Sequence, residues 1–238
     1  MISRILHSTD FAGDAARFIL DHARKAIAER GLFRLGLTGG RSPAAIHAAL
    51  LSQAGDLPWK KVQLTFGDER CVPPDHEDSN YRVAKETLIA PSGIPEGNVF
   101  RMRGEIDPEE AAREYEAKLR AVAARLGESR YMHDLLLLGL GEDGHTASLF
   151  PGSPALDETS REVMPVIGPK PPPQRISMTF PLINASQHIL FLVPQVDKRP
   201  IAEAAIAGDA RYPASRAHGQ ERTTWLFGPA APVALTVK

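Results

Sequence analysis

Three short stretches of this chain bring together the residue types that handle anions, water and protons. The first is LTGGRSP, Leu37 to Pro43, where Gly39 and Gly40 let the backbone approach a ligand closely. An alanine-rich apolar segment follows, so the first N–H groups and positive end of a helix would face the turn, a field that suits a phosphate. Two glycines also serve an ordinary tight turn; Arg41 and Ser42 beside them move the reading toward a phosphate cradle. The second stretch is FGDERC, 66–71, where Asp68, Glu69 and Arg70 close an apolar run. Such a triplet commonly faces water, but at a strand end its side chains can converge on a ligand. Cys71 reads as filler rather than nucleophile.

The third stretch, GLGEDGH, 139–145, matches the spacing of a dinucleotide fingerprint. That reading is rejected. Glu142 and Asp143 would set carboxylates beside a pyrophosphate, Pro151 would end the following helix within two turns, and the motif lies in mid-chain. His145 is more informative. If Asp143 caps a helix, His145 sits in its first turn, where the positive end favours a neutral ring; Glu142 and Asp143 favour the charged form, and the balance stays open. A histidine beside two acids in a strand-to-helix loop is a candidate base. Signatures of a serine elbow, a zinc-protease helix and a dithiol pair are absent, and no metal or cofactor is expected.

The elements that must hold these loops follow from periodicity. Phe11, Ala15, Phe18, Ile19, Ala23 and Ile27 fall at helical spacing. Phe33, Leu35 and Leu37 alternate before Gly39, and an apolar helix runs from Pro43 to about Leu51. VQLTF (62–66) precedes a polar loop and the helical SNYRVAKETLIA, with Ser79 a plausible cap; a long helix near 108–126 precedes DLLLLGL (134–140). Runs such as LLLLGL and HILFLV are apolar on both faces, as strands covered on two sides are. The expectation is a doubly wound α/β fold, a mainly parallel sheet with helices on both faces, in a single domain spanning 1–238. Ligands in such sheets sit beyond the carboxyl ends of the strands, where all three stretches fall.

Composition narrows the function class. With 238 residues, 43% hydrophobic and 24% charged, the chain can bury a large core. Lys+Arg at 28 against Asp+Glu at 29 leaves a net charge of −1, with no basic field for nucleic acid or an anionic membrane. No apolar run has bilayer length, the opening MISRILHSTDFAGD turns polar too soon for a secretory signal, and one cysteine suits a reducing compartment, so a cytoplasmic location is expected.

Taken together and in this order, LTGGRSP, FGDERCVP with SNYR, and LGLGEDGHTASLFPG resemble the 6-phosphogluconolactonase family, with weaker similarity through QRISMTFPLINAS (174–186) and PAS (213–215). The related glucosamine-6-phosphate deaminases share the glycine turn and an Asp-Gly-His loop but carry DEY where this chain has Asp68-Glu69-Arg70. Departures from the lactonase pattern are Gln195 in place of a glycine, Arg199 in place of an alanine, and Gly228 in place of an aspartate. The resemblance implies hydrolysis of 6-phospho-D-glucono-1,5-lactone in the oxidative pentose phosphate pathway. It casts His145 as base and then acid, Asp143 as its orienting partner and Arg70 as the charge stabiliser. The phosphorylated lactone would be held by Gly39, Gly40, Arg41, Ser42 and Asp68, with Arg175 and Lys198 on the phosphate. An amino-sugar phosphate deaminase and a non-catalytic sugar-phosphate sensor are the rival expectations. Oligomeric state is not legible.

Overall fold

The computed structural model describes residues 3–40 and 42–229. Six strands form a wholly parallel sheet: β1 (Arg4–His7), β2 (Phe33–Leu37), β3 (Val62–Phe66), β5 (Leu135–Gly139), β8 (His188–Val193) and β9 (Arg222–Phe227), in the order β1-β9-β8-β5-β2-β3. The apolar runs in the sequence explain it. Leu135 and Leu137 of β5 point into one core with Leu35, Leu37, Leu64, Phe66, Leu190 and Leu226, whereas Leu136 and Leu138 point into another with Ile189, Phe191, Trp225 and Phe227. Both faces are thus covered, which is what a strand with no polar alternation requires.

Helices close each face. α1 (Phe11–Arg30) starts at Asp10, whose carboxylate accepts from Gly13 N at 3.2 Å, and ends at Gly31 in the left-handed conformation. With α2 (Pro43–Gln53) it covers the first core. On the other face lies α5 (Pro108–Arg125), capped by Asp107 with Pro108 in its first turn. The stretch read as one helix after Ser79 is α3 (Asn80–Ala84), a π-helical turn over Lys85–Ile89, and a short α4 (Ala90–Ser92). No helix among the described residues is long and apolar enough to cross a membrane.

A second, antiparallel sheet departs from the simple doubly wound expectation. β4 (Asp68–Arg70), β6 (Val163–Ile167) and β7 (Gln174–Met178) pair in the order β4-β7-β6, and α6 (Phe180–Ile183) follows β7. The chain leaves the main sheet at Gly67, whose N–H donates to Leu37 O at 2.9 Å and whose carbonyl accepts from Met178 N at 2.9 Å. The Tyr115 hydroxyl on α5 takes the Phe66 N–H at 3.0 Å just before this departure. A three-residue strand in a polar loop has too little alternation to be read from sequence. α7 (Arg199–Ile206) then leads toward β9.

The cores also bury two histidines. His133 lies between the Thr65 and Ser186 hydroxyls at 2.9 and 3.1 Å, and His47 meets the Thr87 hydroxyl at 2.7 Å. Burial, with the Arg34 charge adding to it, pushes His133 down to about 3, and burial pushes His47 down to about 4. Both rings are therefore neutral in the folded protein, whereas an unfolded histidine titrates near ~6.5. Their contribution to stability is complete above that value and declines as pH falls through the window toward the folded values, because the unfolded chain takes up protons first. Urea unfolding should lose about 1.4 kcal/mol per pH unit for each ring in that window. His47→Gln should remove one of the two increments when unfolding at about pH 7 and about pH 5 is compared.

Candidate active site

The connections from β2 and β5 leave these neighbouring strands in opposite directions, β2 outward to β3 and β5 back toward β8, which opens a crevice at their carboxyl ends. The glycine turn after β2 and the histidine loop after β5 form its floor. Thr38, Gly39, Gly40, Asp68, Asn80, Gly141, His145, Arg175 and Lys198 surround an inner cavity of about 180 Å³. It shares Arg70, Gly141, His145, Arg175 and Lys198 with an outer cleft of about 350 Å³, walled by Asp143, Phe150, Pro169 and Lys170. Residues from five separate stretches of sequence thus meet in one place. Ser42 stands at the start of α2, its hydroxyl capping nothing, and is outside the cavity wall. Arg41 lies outside the described residues.

The histidine loop is not the start of a helix, which corrects the expectation for this segment. Gly144 and Ala147 both have positive φ, 76° and 49°, so the backbone turns instead of coiling, and the next helical residues are the single 3₁₀ turn Pro154–Leu156. His145 is therefore not in the first turn of a helix. Asp143 lies directly against the ring: its Oδ1 accepts from His145 N at 3.1 Å and lies 2.5 Å from His145 Nδ1. A carboxylate can only accept, so Nδ1 carries the hydrogen, and in the neutral ring Nε2 is the nitrogen that can take a proton. Burial alone would raise Asp143, but the hydrogen bonds from the His145 backbone and ring outweigh it and hold the carboxyl below the usual range. The Phe150 ring, 4.5 Å from the imidazole centroid, backs the histidine. Gly141 donates to the His145 carbonyl at 2.9 Å, and a Cβ there would come within 2.0 Å of Nδ1.

The small sheet brings in the positive charge. Arg70 on β4 and Arg175 on β7 are cross-strand partners, so two guanidinium groups face the same crevice. β7 is the middle strand of its sheet and Arg175 is 8% exposed, so its guanidinium is not a solvated charge at a sheet edge. Arg70 Nη1 donates to Asp78 O at 2.8 Å and Arg175 Nη2 reaches Lys170 O at 3.5 Å, yet the buried Nε–H of each has no partner. Burial first, and the Arg70 charge second, press Arg175 below the usual arginine range. Lys198 donates to Leu140 O at 2.6 Å. Among the described residues none of these three cations, one buried and two half-buried, has a carboxylate within salt-bridge reach, and cations so gathered call for an anion.

Asp68 is buried in the same wall, where it accepts from the Ser148 hydroxyl at 2.6 Å and from Asn80 Nδ2 at 3.2 Å. Asn80 also fixes the glycine turn, since a Cβ on Gly39 would meet its Oδ1 at 2.2 Å. Glu69 turns away from the crevice into the protein. Burial, with Glu69 the largest charge acting on it, pushes the Cys71 thiol up to about 11, so it is protonated at neutral pH and inert. Asn80, Ser148, Phe150 and Lys170 escaped the sequence reading. Asn80 follows the helix cap directly and could have been suspected, but Ser148 meets Asp68 across 80 residues with no local signal.

Residues 7–225 match the family model described as glucosamine-6-phosphate isomerases/6-phosphogluconolactonase. A 6-phosphogluconolactonase of Synechocystis sp. is 40% identical, over 85% of this chain and 85% of that one. The 6-phosphogluconolactonase of Homo sapiens is 35% identical over 100% of this chain and 94% of that one. Among solved structures, the 6-phosphogluconolactonase of Thermotoga maritima superposes with a TM-score of 0.85 at 28% identity, covering 95% of this chain and 99% of that one. A monomeric glucosamine-6-phosphate deaminase shares the fold alone, with a TM-score of 0.78 at 20% identity.

The tight approach at Gly141 yields a test that alters neither partner of the pair. Gly141→Ala should drive the imidazole off Asp143, so that the low-field Nδ1 proton signal of His145 disappears from NMR spectra while the fold persists. Retention of that signal at its original position would show that the loop absorbs a methyl group.

Proposed function

The chain belongs to the family of glucosamine-6-phosphate isomerases and 6-phosphogluconolactonases, and from that premise we propose that it is a 6-phosphogluconolactonase whose base is His145. The reaction is hydrolysis of 6-phospho-D-glucono-1,5-lactone to 6-phospho-D-gluconate, in the oxidative pentose phosphate pathway. The observation that carries the reading is the meeting, in one crevice, of a histidine bonded to a carboxylate with three cations that have no carboxylate partner among the described residues.

The chemistry follows from the groups. A water on Nε2 of His145 gives up a proton as its oxygen attacks C1, forming a tetrahedral oxyanion. Asp143, bonded to Nδ1, balances the imidazolium and keeps the ring aimed. Arg70 stabilises the oxyanion. The bond from C1 to the ring oxygen then breaks, and the imidazolium returns its proton to that oxygen, leaving the open-chain acid. The phosphate lies against Gly39, Gly40 and the start of α2, where Ser42 and unpaired N–H groups stand, with Arg175 and Lys198 supplying charge. Asp68 accepts from a sugar hydroxyl. Residues 1–238 act as one domain, and the cytoplasm is the proposed compartment, since a lone cysteine suits reducing conditions.

Freshly generated lactone should be hydrolysed well above its spontaneous rate, and glucosamine 6-phosphate should release no ammonia. His145→Ala should lower kcat by about a hundredfold or more with a modest change in KM. Arg175→Ala should mainly raise KM, by about tenfold or more, as loss of a charged phosphate contact does. Undiminished turnover in the first variant, or an unchanged KM in the second, would remove the corresponding role.

A further inference from the structure

We propose that Glu69 is a positioning residue: its carboxylate fastens the two ends of the 71–79 loop to each other and so holds the Arg70 guanidinium in the crevice. The inference rests on the lactonase reading of that crevice. Glu69 is 3% exposed and contributes nothing to the cavity wall, so it is not a contact for substrate. Its Oε1 accepts from Arg70 N and Asn80 N, both at 2.8 Å, and its Oε2 accepts from Tyr81 N at 2.8 Å and the Ser79 hydroxyl at 3.1 Å. Every lone-pair direction of the carboxylate is used, and each donor sits at one end or the other of the loop.

The consequence falls on Arg70. Its own N–H is one of the four donors, and its Nη1 donates to Asp78 O, the carbonyl directly before the clamped Ser79. Backbone root and guanidinium are therefore both tied to groups that Glu69 immobilises. A force opposes this arrangement, because Arg175 stands opposite in the strand register and like charges in that relation repel. No cation lies within salt-bridge reach of Glu69 among the described residues, and burial pushes its carboxyl up despite the three backbone N–H bonds. A buried carboxylate without an ion-pair partner is costly. A loop that needed only to be tethered could use a neutral cap, whereas holding an arginine against a second one calls for a stiff, fourfold acceptor.

Glu69→Gln keeps the size and turns one acceptor into a donor that faces donors. Two readouts decide the matter. In 15N spectra the Nε–H signal of Arg70, identified by its loss in Arg70→Lys, should be sharp in the wild type and broadened by water exchange in Glu69→Gln. In kinetics, Glu69→Gln should lower kcat by about tenfold or more in the same kcat-against-KM pattern as Arg70→Ala, and should cost less than about threefold further in the Arg70→Ala background. Multiplicative losses in the double variant, or an unchanged Arg70 signal, would overturn the proposal in favour of a plain loop anchor. Should Glu69→Gln fail to fold, Ser79→Ala removes a single donor, and the same signal and the same non-additivity apply in smaller measure. The spectroscopic arm needs no turnover, so it decides the role of Glu69 even if the wild type hydrolyses no lactone, an outcome that would count against the function alone.

Discussion

Two arginines paired across adjacent strands are the constraint on which this site turns. Arg70 and Arg175 occupy partnered positions of β4 and β7, each with a buried N–H that no atom of the described residues accepts. Left alone, such a pair is unfavourable twice over, through mutual repulsion and through lost hydration. A dianionic or oxyanionic guest reverses both terms at once. The field that sets the two arginines against each other is the field that selects the guest, and Lys198 in the same cavity wall extends it. The Asp68 charge acts on Arg175, but its carboxylate bonds to Ser148 and Asn80 and forms no ion pair with either arginine among the described residues.

The fold serves this constraint by dividing labour between its two sheets. The parallel sheet places the glycine turn and the histidine loop side by side at the reversal between β2 and β5. The antiparallel sheet folds over them and delivers the guanidinium groups. The two share an apolar core in which Leu136 and Leu138 meet Ile176 and Met178, and polar ties add to it: the Gly67 hydrogen bonds, the Ser148–Asp68 contact, and the Ser148 N–H to the Ser177 hydroxyl at 3.1 Å. Ala147, directly before Ser148, has φ of 49°, a strained value for a residue with a Cβ, and these contacts hold it there.

Much of this was legible beforehand, and the gaps have physical causes. Runs such as LLLLGL read correctly as strands buried on both faces because nothing polar interrupts them. The loops after β2, β3 and β5 were identified because glycine and charge at a strand end are local signals. What failed was local too. The GEDGH segment reads like a helix start, yet Gly144 and Ala147 adopt left-handed backbone that only the tertiary contacts of Ser148 and Tyr212 explain. β4 is too short for a periodicity, so the facing of Arg70 and Arg175 could not be read from residues more than 100 positions apart. Glu69 lay inside a triplet read as converging on ligand; that it turns inward is decided by donors on a loop it has yet to meet in the linear chain.

The turn between β6 and β7, which carries Pro169 and Lys170, forms the outer wall of the cleft. It belongs to a hairpin closed by its own bond from Gly168 N to Pro173 O at 2.7 Å, and it takes no part in the frame that aims His145. Changes of length or composition there can therefore reshape which end groups a guest is allowed to present while the hydrolytic machinery stays untouched. Selectivity and reactivity are mounted on separate pieces of backbone, and divergence of the one need not wait on the other.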